Sequence, residues 1–328
     1  MGIPISGNRF LITGGLSLIG SHIAEHLLSA GAAEVVLFDN LSLSTPQSVG
    51  GLLEQARVRF VRGDILNADE LMAATQGMGG VFAVAGYLTL PMSQNPPTGL
   101  RVNVNGLLNV LEACRWSGVQ KAIFSSSVAT AGNVAAGHIT EETPYHTSGL
   151  QPASALYGIT KLLGEQLCRL YAQRHGVDTV SLRYATVYGE RQHYRGVNAL
   201  YIVDTYDKIV AGQRPRIPGD GSEVHDYVYV GDVARANLMA MEAQASGESC
   251  LVATGISTNI NDIVRILLQQ CGSKLKPEYG EDTAAVKSAA SSDISFSNEK
   301  ARRLLGWTPQ VSIEEGVRRL IAWRRAAG

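Results

Sequence analysis

A glycine-rich turn near the start of the chain restricts the possible folds more than any other feature. The sequence Thr13-Gly14-Gly15-Leu16-Ser17-Leu18-Ile19-Gly20 joins a short apolar run, residues 9–13, to an amphipathic run over about residues 19–30. We expect a buried strand, a tight turn and a helix in that order. Such a unit brings the backbone and a helix N-terminus close to a pyrophosphate, which is the arrangement of a dinucleotide-binding unit.

The type of dinucleotide follows from Asp39, at the end of a second apolar run, residues 34–38. A carboxylate about twenty residues beyond the turn can accept hydrogen bonds from an adenosine ribose and repels a 2′-phosphate. No arginine follows in Asn40-Leu41-Ser42, so we expect NAD rather than NADP. Ser17 stands where the usual pattern has its middle glycine, and we expect its Cβ to crowd the pyrophosphate or to shift the loop.

The rest of the first half alternates between strand and helix patterns. We expect strands at 58–61, 80–84, 121–124 and 179–183, and helices at 67–76, 98–117 and 154–175. Strict alternation predicts a Rossmann-type, doubly wound parallel α/β sheet whose ligands gather beyond the C-terminal ends of its strands. The residues expected at or just past these ends are Thr13, Asp39, Asp64, Ala83, Ser125 and Arg183.

The composition of the sequence changes after Gly189, and prolines and glycines cluster over residues 214–221. We therefore divide the chain into an NAD-binding Rossmann domain, residues 1–188, and a smaller C-terminal α/β substrate lobe. The lobe takes residues 189–231 and 256–328, and the segment of about 232–255 returns to the main sheet.

The chemistry is indicated by Tyr157 and Lys161, which stand four residues apart and so share one face of a helix. An adjacent ammonium favours ionisation of a phenol whose ordinary pKa is about 10. A phenolate can take the proton from an alcohol while hydride leaves the same carbon. Ser127, which ends the upstream run Ser125-Ser126-Ser127, is the third candidate catalytic residue.

Composition excludes several other classes of function. The net charge of −1 offers no electrostatic basis for binding nucleic acid or an anionic membrane. The four cysteines form no metal or redox motif, so we expect reduced thiols, a cytoplasmic protein and no metal site. No apolar run approaches the length of a membrane span.

Together these motifs resemble the extended short-chain dehydrogenase/reductase family, in its sugar-nucleotide epimerase/dehydratase branch. The resemblance covers nearly the whole chain. Its motifs are Thr13-Gly14-Gly15, Asp39-Asn40-Leu41-Ser42, Gly63-Asp64-Ile65, Asn103-Val104-Asn105-Gly106, Ser125-Ser126-Ser127, Tyr157-Gly158-Ile159-Thr160-Lys161, Arg183-Tyr184-Ala185-Thr186-Val187-Tyr188-Gly189, Asp226-Tyr227-Val228-Tyr229-Val230 and Leu305-Gly306-Trp307-Thr308-Pro309.

The resemblance implies roles for individual residues. Tyr157 is the base and then the acid, Ser127 hydrogen-bonds the reacting hydroxyl, and Lys161 lowers the pKa of Tyr157 and binds the nicotinamide ribose. The residues implied to bind the cofactor are Gly14, Gly15, Ser17, Leu18, Ile19, Gly20, Asp39, Asn40, Asp64, Ile65, Ala83, Val84, Ala85, Asn103, Ser125, Tyr157, Lys161, Tyr184 and Val187.

Three reactions share this scaffold: 4-epimerisation, 4,6-dehydration and alcohol oxidation. Dehydration requires an acidic residue directly after the catalytic hydroxyl residue, and here Val128-Ala129-Thr130 follows Ser127. We therefore expect an NAD-dependent sugar-nucleotide 4-epimerase. The alternative is an NAD-dependent alcohol dehydrogenase or ketoreductase that acts on a non-nucleotide substrate.

The alternative stays open because the sequence departs from the family pattern on the substrate side. Thr186 replaces the usual asparagine, and His225 replaces an arginine, which makes it a weaker and pH-dependent phosphate partner. The family's C-terminal phosphate-binding arginine has only Lys287 as a candidate. We still expect Thr186, His225 and Ser127 to contact the substrate. The other histidines, His193 among them, are expected on the surface or in packing.

The resemblance also implies a partner. In this family two long helices commonly pack across a two-fold axis as a four-helix bundle, which predicts a homodimer. The leucines that could form this face are Leu107, Leu108, Leu111, Leu163, Leu167 and Leu170, and the same leucines could instead pack against their own sheet.

Overall fold

Strands and helices alternate along the chain in the computed structural model, which describes residues 2–134, 136–192, 200–280 and 294–327. His193 and Lys287 lie outside the described residues. The described strands are β1 (Arg9–Thr13), β2 (Glu34–Asp39), β3 (Val58–Arg62), β4 (Gly80–Ala83), β5 (Lys121–Ser127), β6 (Gly137–Ile139), β7 (Asp178–Tyr184), β8 (Thr186–Tyr188), β9 (Arg216–Pro218), β10 (Val224–Tyr229), β11 (Glu248–Val252), β12 (Ser257–Asn259), β13 (Glu278–Gly280) and β14 (Ile294–Phe296).

The described helices flank these strands. They are α1 (Leu18–Ser29), α2 (Ala68–Thr75), α3 (Thr89–Gln94), α4 (Pro96–Leu100), α5 (Leu107–Trp116), α6 (Pro152–Arg174), α7 (Leu200–Val210), α8 (Val230–Glu242), α9 (Ile260–Gln270), α10 (Glu299–Leu305) and α11 (Ile313–Ala327). In the part of the chain that is described, no helix is long and apolar enough to cross a membrane.

Seven strands form one sheet in the order β3-β2-β1-β4-β5-β7-β11, and every neighbouring pair is parallel. The chain runs from β1 outward to β3 and then returns to continue on the other side with β4. This order confirms the doubly wound Rossmann-type fold, in which ligands bind where the winding reverses, between β1 and β4.

The two faces of the sheet bury separate apolar clusters because successive side chains of a strand point in opposite directions. On β1, Phe10 and Ile12 pack on one face with Ile23 of α1, while Leu11 packs on the other face with Leu111 of α5. Both faces are therefore covered, as a parallel sheet requires.

The strand ends collect the residues expected there. Thr13, Asp39 and Ala83 are the last residues of their strands, and Asp64 lies two residues beyond β3. Arg183 lies one residue before the end of β7 and forms a buried ion pair with Glu165 of α6, with Nη2 and Oε2 2.8 Å apart. It therefore stabilises the packing of α6 rather than facing a ligand.

The helix expected over residues 98–117 is interrupted. Between α4 and α5, residues Arg101–Gly106 form a π-helical turn. π-Helical turns in longer helices are frequent at functional sites, and the turn contains Asn103, whose side chain bonds Tyr87 and Thr160. Periodicity in a sequence does not distinguish such a turn from a regular helix.

The described residues also form three small sheets outside the main one: β12-β10-β8, β13-β9 and β14-β6. Strand β11 pairs with β7 at the edge of the main sheet, so the chain returns to that sheet within the segment expected to do so. Strand β8, which precedes residue 189, pairs with β10 rather than with the main sheet. The division at residues 188 and 189 remains an interpretation of the sequence.

Candidate active site

The turn after β1 is built from glycines that leave no room for a side chain. Gly14 has a φ of +67°, and a Cβ on it would lie 2.9 Å from the backbone nitrogen of Ala85. A Cβ on Gly20 would lie 2.4 Å from the carbonyl oxygen of Gly14. The turn is therefore packed closely against the segment after β4 and the start of α1, as in a pyrophosphate site on a helix N-terminus.

Ser17 fits this turn without strain. Its backbone is extended, with a φ of −73° and a ψ of 168°, and its hydroxyl oxygen accepts a hydrogen bond of 3.1 Å from the Gly20 backbone N–H. The side chain thus caps α1. The loop shift expected from a Cβ at this position is therefore not required by the backbone conformation, which any residue can adopt.

Asp39 is held at the end of β2 by three donors. Its Oδ2 accepts a hydrogen bond from the Leu16 N–H at 3.1 Å, and its Oδ1 accepts from the Leu41 N–H and from the Ser44 hydroxyl, both at 2.9 Å. A carboxylate oxygen has further lone pairs to offer. The carboxylate is thus fixed in orientation and retains capacity for a ribose hydroxyl.

A cleft opens over the ends of β1, β2, β3 and β4. The residues expected to bind the cofactor that line it are Gly14, Ser17, Leu18, Ile19, Asp39, Asn40, Asp64, Ile65, Val84 and Ala85. Residues of the cleft that the sequence did not indicate are Phe38, Ser42, Leu43, Ser44, Gly63, Gly86, Tyr87, Leu88, Val102 and Gln192. Most of these lie within five residues of a strand end, so a wider window around each end would have found them, but Val102 and Gln192 carried no such signal.

The other residues expected to bind the cofactor lie behind or beside the cleft. Gly15 faces Leu37, where a Cβ would be 2.8 Å from its Cα, and Ala83 is buried at the end of β4. Val187 is buried on β8, paired with Val228 of β10. Asn103 accepts a hydrogen bond of 2.7 Å from the Tyr87 N–H and donates one of 3.0 Å to the Tyr87 carbonyl oxygen, which fixes the segment after β4.

Ser127, Tyr157 and Lys161 come together where β5 meets α6. Ser127 is the half-buried last residue of β5, and Tyr157 and Lys161 are buried on the face of α6 that packs there. The Lys161 Nζ lies 5.7 Å from the centre of the Tyr157 ring. A Cβ on Gly86, which lines the cleft, would lie 3.4 Å from this Nζ, so the three residues adjoin the cleft.

The acidity of Tyr157 differs from the expectation. Burial raises the pKa of the phenol to about 12, and the neighbouring Ser127 hydroxyl acts in the opposite direction without cancelling it. Burial also lowers the pKa of Lys161 to about 8, although the negative charge of Glu165 opposes this change. Burial therefore outweighs the expected lowering of the Tyr157 pKa by Lys161, because burial disfavours the charged form of both groups.

Ser125 links Lys161 to the core. The Lys161 ammonium donates a hydrogen bond of 2.8 Å to the Ser125 carbonyl oxygen. The Ser125 hydroxyl lies 3.2 Å from the Tyr184 hydroxyl, which donates a 3.0 Å hydrogen bond to Oδ1 of Asn237. Tyr184 therefore uses its hydroxyl in the core, and Asn237 of α8 is a member of this network that the sequence did not indicate.

The two substrate candidates outside the triad lie on the three-stranded sheet β12-β10-β8, called the second sheet below. Thr186 is half-buried on β8 and pairs with Tyr227 of β10. The His225 Nε2 lies 2.8 Å from Oε1 of Glu223, and its ring packs edge-on against Tyr227. The Nε2 atom of His225 already contacts the Glu223 carboxylate, so His225 is a weaker partner for a phosphate than an arginine would be.

The leucines proposed for a helix bundle separate into two groups. Leu107, Leu111 and Leu167 pack into the protein's own core. Leu108, Leu163 and Leu170 are 38%, 42% and 46% exposed, and Ile159 on the same helix as the last two is 45% exposed. Helices α5 and α6 thus leave an apolar face uncovered.

The chain is similar to known proteins over most of its length. A sequence model of the NAD dependent epimerase/dehydratase family matches residues 10–253. A UDP-glucose 4-epimerase of Mycolicibacterium smegmatis is 30% identical over 320 residues, which cover 97% of this chain and 98% of that protein.

Two solved structures are also similar. The UDP-glucose 4-epimerase of Thermotoga maritima, with UDP-glucose, is 29% identical and superposes with a TM-score of 0.86 over 97% of this chain and 99% of that one. The UDP-glucose 4-epimerase of Thermus thermophilus, in complex with NAD, is 30% identical with a TM-score of 0.82, over 98% of this chain and 100% of that one.

Proposed function

The chain belongs to the NAD-dependent epimerase/dehydratase family, and we propose that it is a sugar-nucleotide 4-epimerase that works through Ser127, Tyr157 and Lys161. Its cofactor is NAD. The observation that carries the proposal is the convergence of these three side chains beside a cleft with a glycine turn at one end. The similar proteins, which are named UDP-glucose 4-epimerases, supply the substrate class.

The glycine turn and the cleft fit the cofactor. The backbone at Gly14 and Gly20 has no space for side chains, which gives the tight turn and the close helix packing of a dinucleotide-binding unit, and Asp39 is oriented for a ribose. Leu18 and Ile19 lie in the first turn of α1, where backbone N–H groups have no acceptor within the helix. Hydride transfer to and from the sugar is the chemistry that NAD supplies when it is bound.

Each residue of the triad then has a defined task. Tyr157 takes the proton of the C4 hydroxyl and later returns it, and Ser127 orients that hydroxyl. Lys161, held by Ser125, places a positive charge near the phenolate. Because burial raises the pKa of Tyr157 to about 12, this charge and the substrate must lower it in the working complex.

The cofactor-binding residues are proposed to be those of the resemblance, extended by the neighbouring residues of the cleft. Thr186 and His225 are proposed to contact the nucleotide end of the substrate. A cytoplasmic location is also a proposal, which the four free thiols of the described cysteines support.

We further propose that the chain is a homodimer. The exposed leucines of α5 and α6, together with Ile159, form an apolar face on two adjacent helices. A contiguous apolar face of this kind is typical of a helix-to-helix interface between subunits.

The experiment that tests the function is turnover on a panel of UDP-, dTDP- and GDP-sugars, in which both product identity and NADH absorbance are followed, with and without added NAD. A C4 epimer formed without net NADH supports the epimerase. If no sugar nucleotide reacts and simple alcohols or sugars yield NADH, the proposal is wrong and the dehydrogenase alternative is correct.

A further inference from the structure

The chain leaves strand β8 through a short segment, residues 189–192, whose last residue reaches the cofactor cleft. Gln192 lines the cleft together with Gly14 and Asp39, and only 2% of its surface is exposed. The segment begins at Gly189, where a Cβ would lie 2.4 Å from the Val230 side chain. It therefore passes from the second sheet to the cleft with its start packed closely against α8.

Arg191 ties this segment to α1. Its guanidinium forms an ion pair with Glu25, and 16% of the Arg191 side chain is exposed. Among the residues that the structure describes, the buried Nη1 of Arg191 has no hydrogen-bond acceptor, so the ion pair with Glu25 anchors this guanidinium. Helix α1 is the helix whose first turn closes the pyrophosphate end of the cleft.

Glu190 ties the same segment to the second sheet. The Tyr229 hydroxyl at the end of β10 lies 2.9 and 2.8 Å from the two carboxylate oxygens of Glu190 and donates to them. The guanidinium of Arg319, from α11, stacks on the Tyr229 ring at 5.3 Å. The adjacent residues Glu190 and Arg191 thus contact two different parts of the molecule, β10 and α1.

The backbone conformation of Arg191 requires contacts that hold it. Arg191 has a φ of +65°, in the left-handed region that a residue other than glycine occupies at a cost. A conformation of this kind persists only where its surroundings hold it. The contact to Glu25 is one of the contacts that hold the backbone at Arg191, directly before Gln192.

We propose that Glu190 and Arg191 are positioning residues that hold Gln192 against the cleft and thereby slow the release of NAD. The ion pair between Arg191 and Glu25 is the main tie, because it joins the segment directly to the helix of the cofactor site. This inference depends on NAD binding and not on the identity of the substrate, so its test needs no sugar nucleotide.

The test is NAD release from Glu25→Gln, from Arg191→Gln and from the variant with both changes. NADH-loaded protein is mixed with excess NAD and its fluorescence is followed, while calorimetry gives the dissociation constant. We expect each single variant to release the cofactor roughly fivefold faster, which is the upper range for an ion pair of this exposure. We expect the double variant to release it no faster than either single variant, because both changes remove the same contact.

Arg59→Gln is the matched control, because it breaks an ion pair with Glu34 that touches neither the cleft nor the segment. Tyr229→Phe is a second, independent variant that removes the tie of Glu190, and we expect it also to accelerate release. Unchanged release in Glu25→Gln and Arg191→Gln would overturn the proposal, as would fully additive effects in the double variant. Circular dichroism of each variant establishes that it is folded.

Discussion

The ammonium of Lys161 donates a hydrogen bond of 2.8 Å to the backbone carbonyl oxygen of Ser125, two residues before Ser127 on the same strand. The candidate catalytic lysine on α6 is therefore tied to the strand that carries the candidate catalytic serine. Because the acceptor is a backbone carbonyl fixed by the sheet, only one flexible side chain, that of Lys161, takes part in this contact. Substitution of Lys161 therefore removes a positive charge and also a contact that joins α6 to β5.

The role of Tyr157 as acid and base predicts the effect of Tyr157→Phe. We expect turnover to fall by roughly a hundred- to ten-thousandfold, because the variant has no group that exchanges a proton with the substrate. NAD binding and the unfolding midpoint should remain close to those of the wild type. Tyr171→Phe, on the same helix but bonded to Glu112, is the control and should retain activity. Near-normal turnover of Tyr157→Phe would refute the mechanism.

The capping role of Ser17 predicts that its replacement by alanine and by glycine lowers the free energy of unfolding by different amounts. Its hydroxyl caps α1, so Ser17→Ala should lower the free energy of unfolding by about 1 kcal/mol, whereas Ser17→Gly should lower it by only a few tenths. Urea denaturation of the two variants measures the difference. If the alanine variant is as stable as the glycine variant, the cap contributes nothing.

The buried Lys121 predicts a dependence of stability on pH. It donates a 2.5 Å hydrogen bond to the Ala243 carbonyl oxygen, and burial lowers its pKa from 10.5 to about 8. Between pH 8 and pH 10.5 the unfolded chain therefore binds more protons at this residue than the folded chain, so its contribution to the free energy of unfolding rises with pH. Below pH 8 the cost of burying the charge is fully present.

Lys121→Met removes this titration, and we expect the stability of the wild type relative to the variant to increase from pH 8 to pH 10.5. Denaturation curves at several pH values give the difference directly. Lys208→Met, at a partly exposed lysine paired with Asp204, is the control and should show a difference that changes little with pH. A constant difference for Lys121→Met would contradict the argument.

The exposed face of α5 and α6 predicts the state of assembly. Leu163→Glu places a charge in the centre of the proposed interface, and we expect it to convert a dimer into a monomer, as measured by light scattering after size-exclusion chromatography. Val210→Glu is the control, because Val210 is 63% exposed at the end of α7, away from this face. A wild-type protein that is already monomeric would exclude the interface.

The position of His225 predicts that an arginine there increases the affinity for the sugar nucleotide. If His225 contacts a phosphate, His225→Arg supplies a permanent charge and two donors in a fixed geometry, so KM for the sugar nucleotide should fall severalfold with little change in kcat. Steady-state kinetics of both proteins at one pH provide the comparison. A KM that does not change would place His225 outside the substrate site.

Much of the candidate site could be predicted from the sequence, because local sequence patterns determine where its strands, turns and helices form. The apolar runs, the glycine turn and the spacing of Tyr157 and Lys161 predicted the order of the strands and helices, and the helix expected from residue 67 begins after its cap, Asn67. Ten of the residues expected to bind the cofactor line the cleft because strand ends of a parallel sheet meet at one edge. These predictions need only residues that are near one another in the chain.

Tertiary structure decided what depends on distant contacts. The raised pKa of Tyr157 follows from burial that no spacing indicates, and the place of Gln192 follows from ties to α1 and β10. The separation of the leucines into core and exposed groups depends on which face of α5 and α6 meets the sheet. A sequence pattern specifies which groups are available, and only packing specifies which of them face water, a ligand or each other.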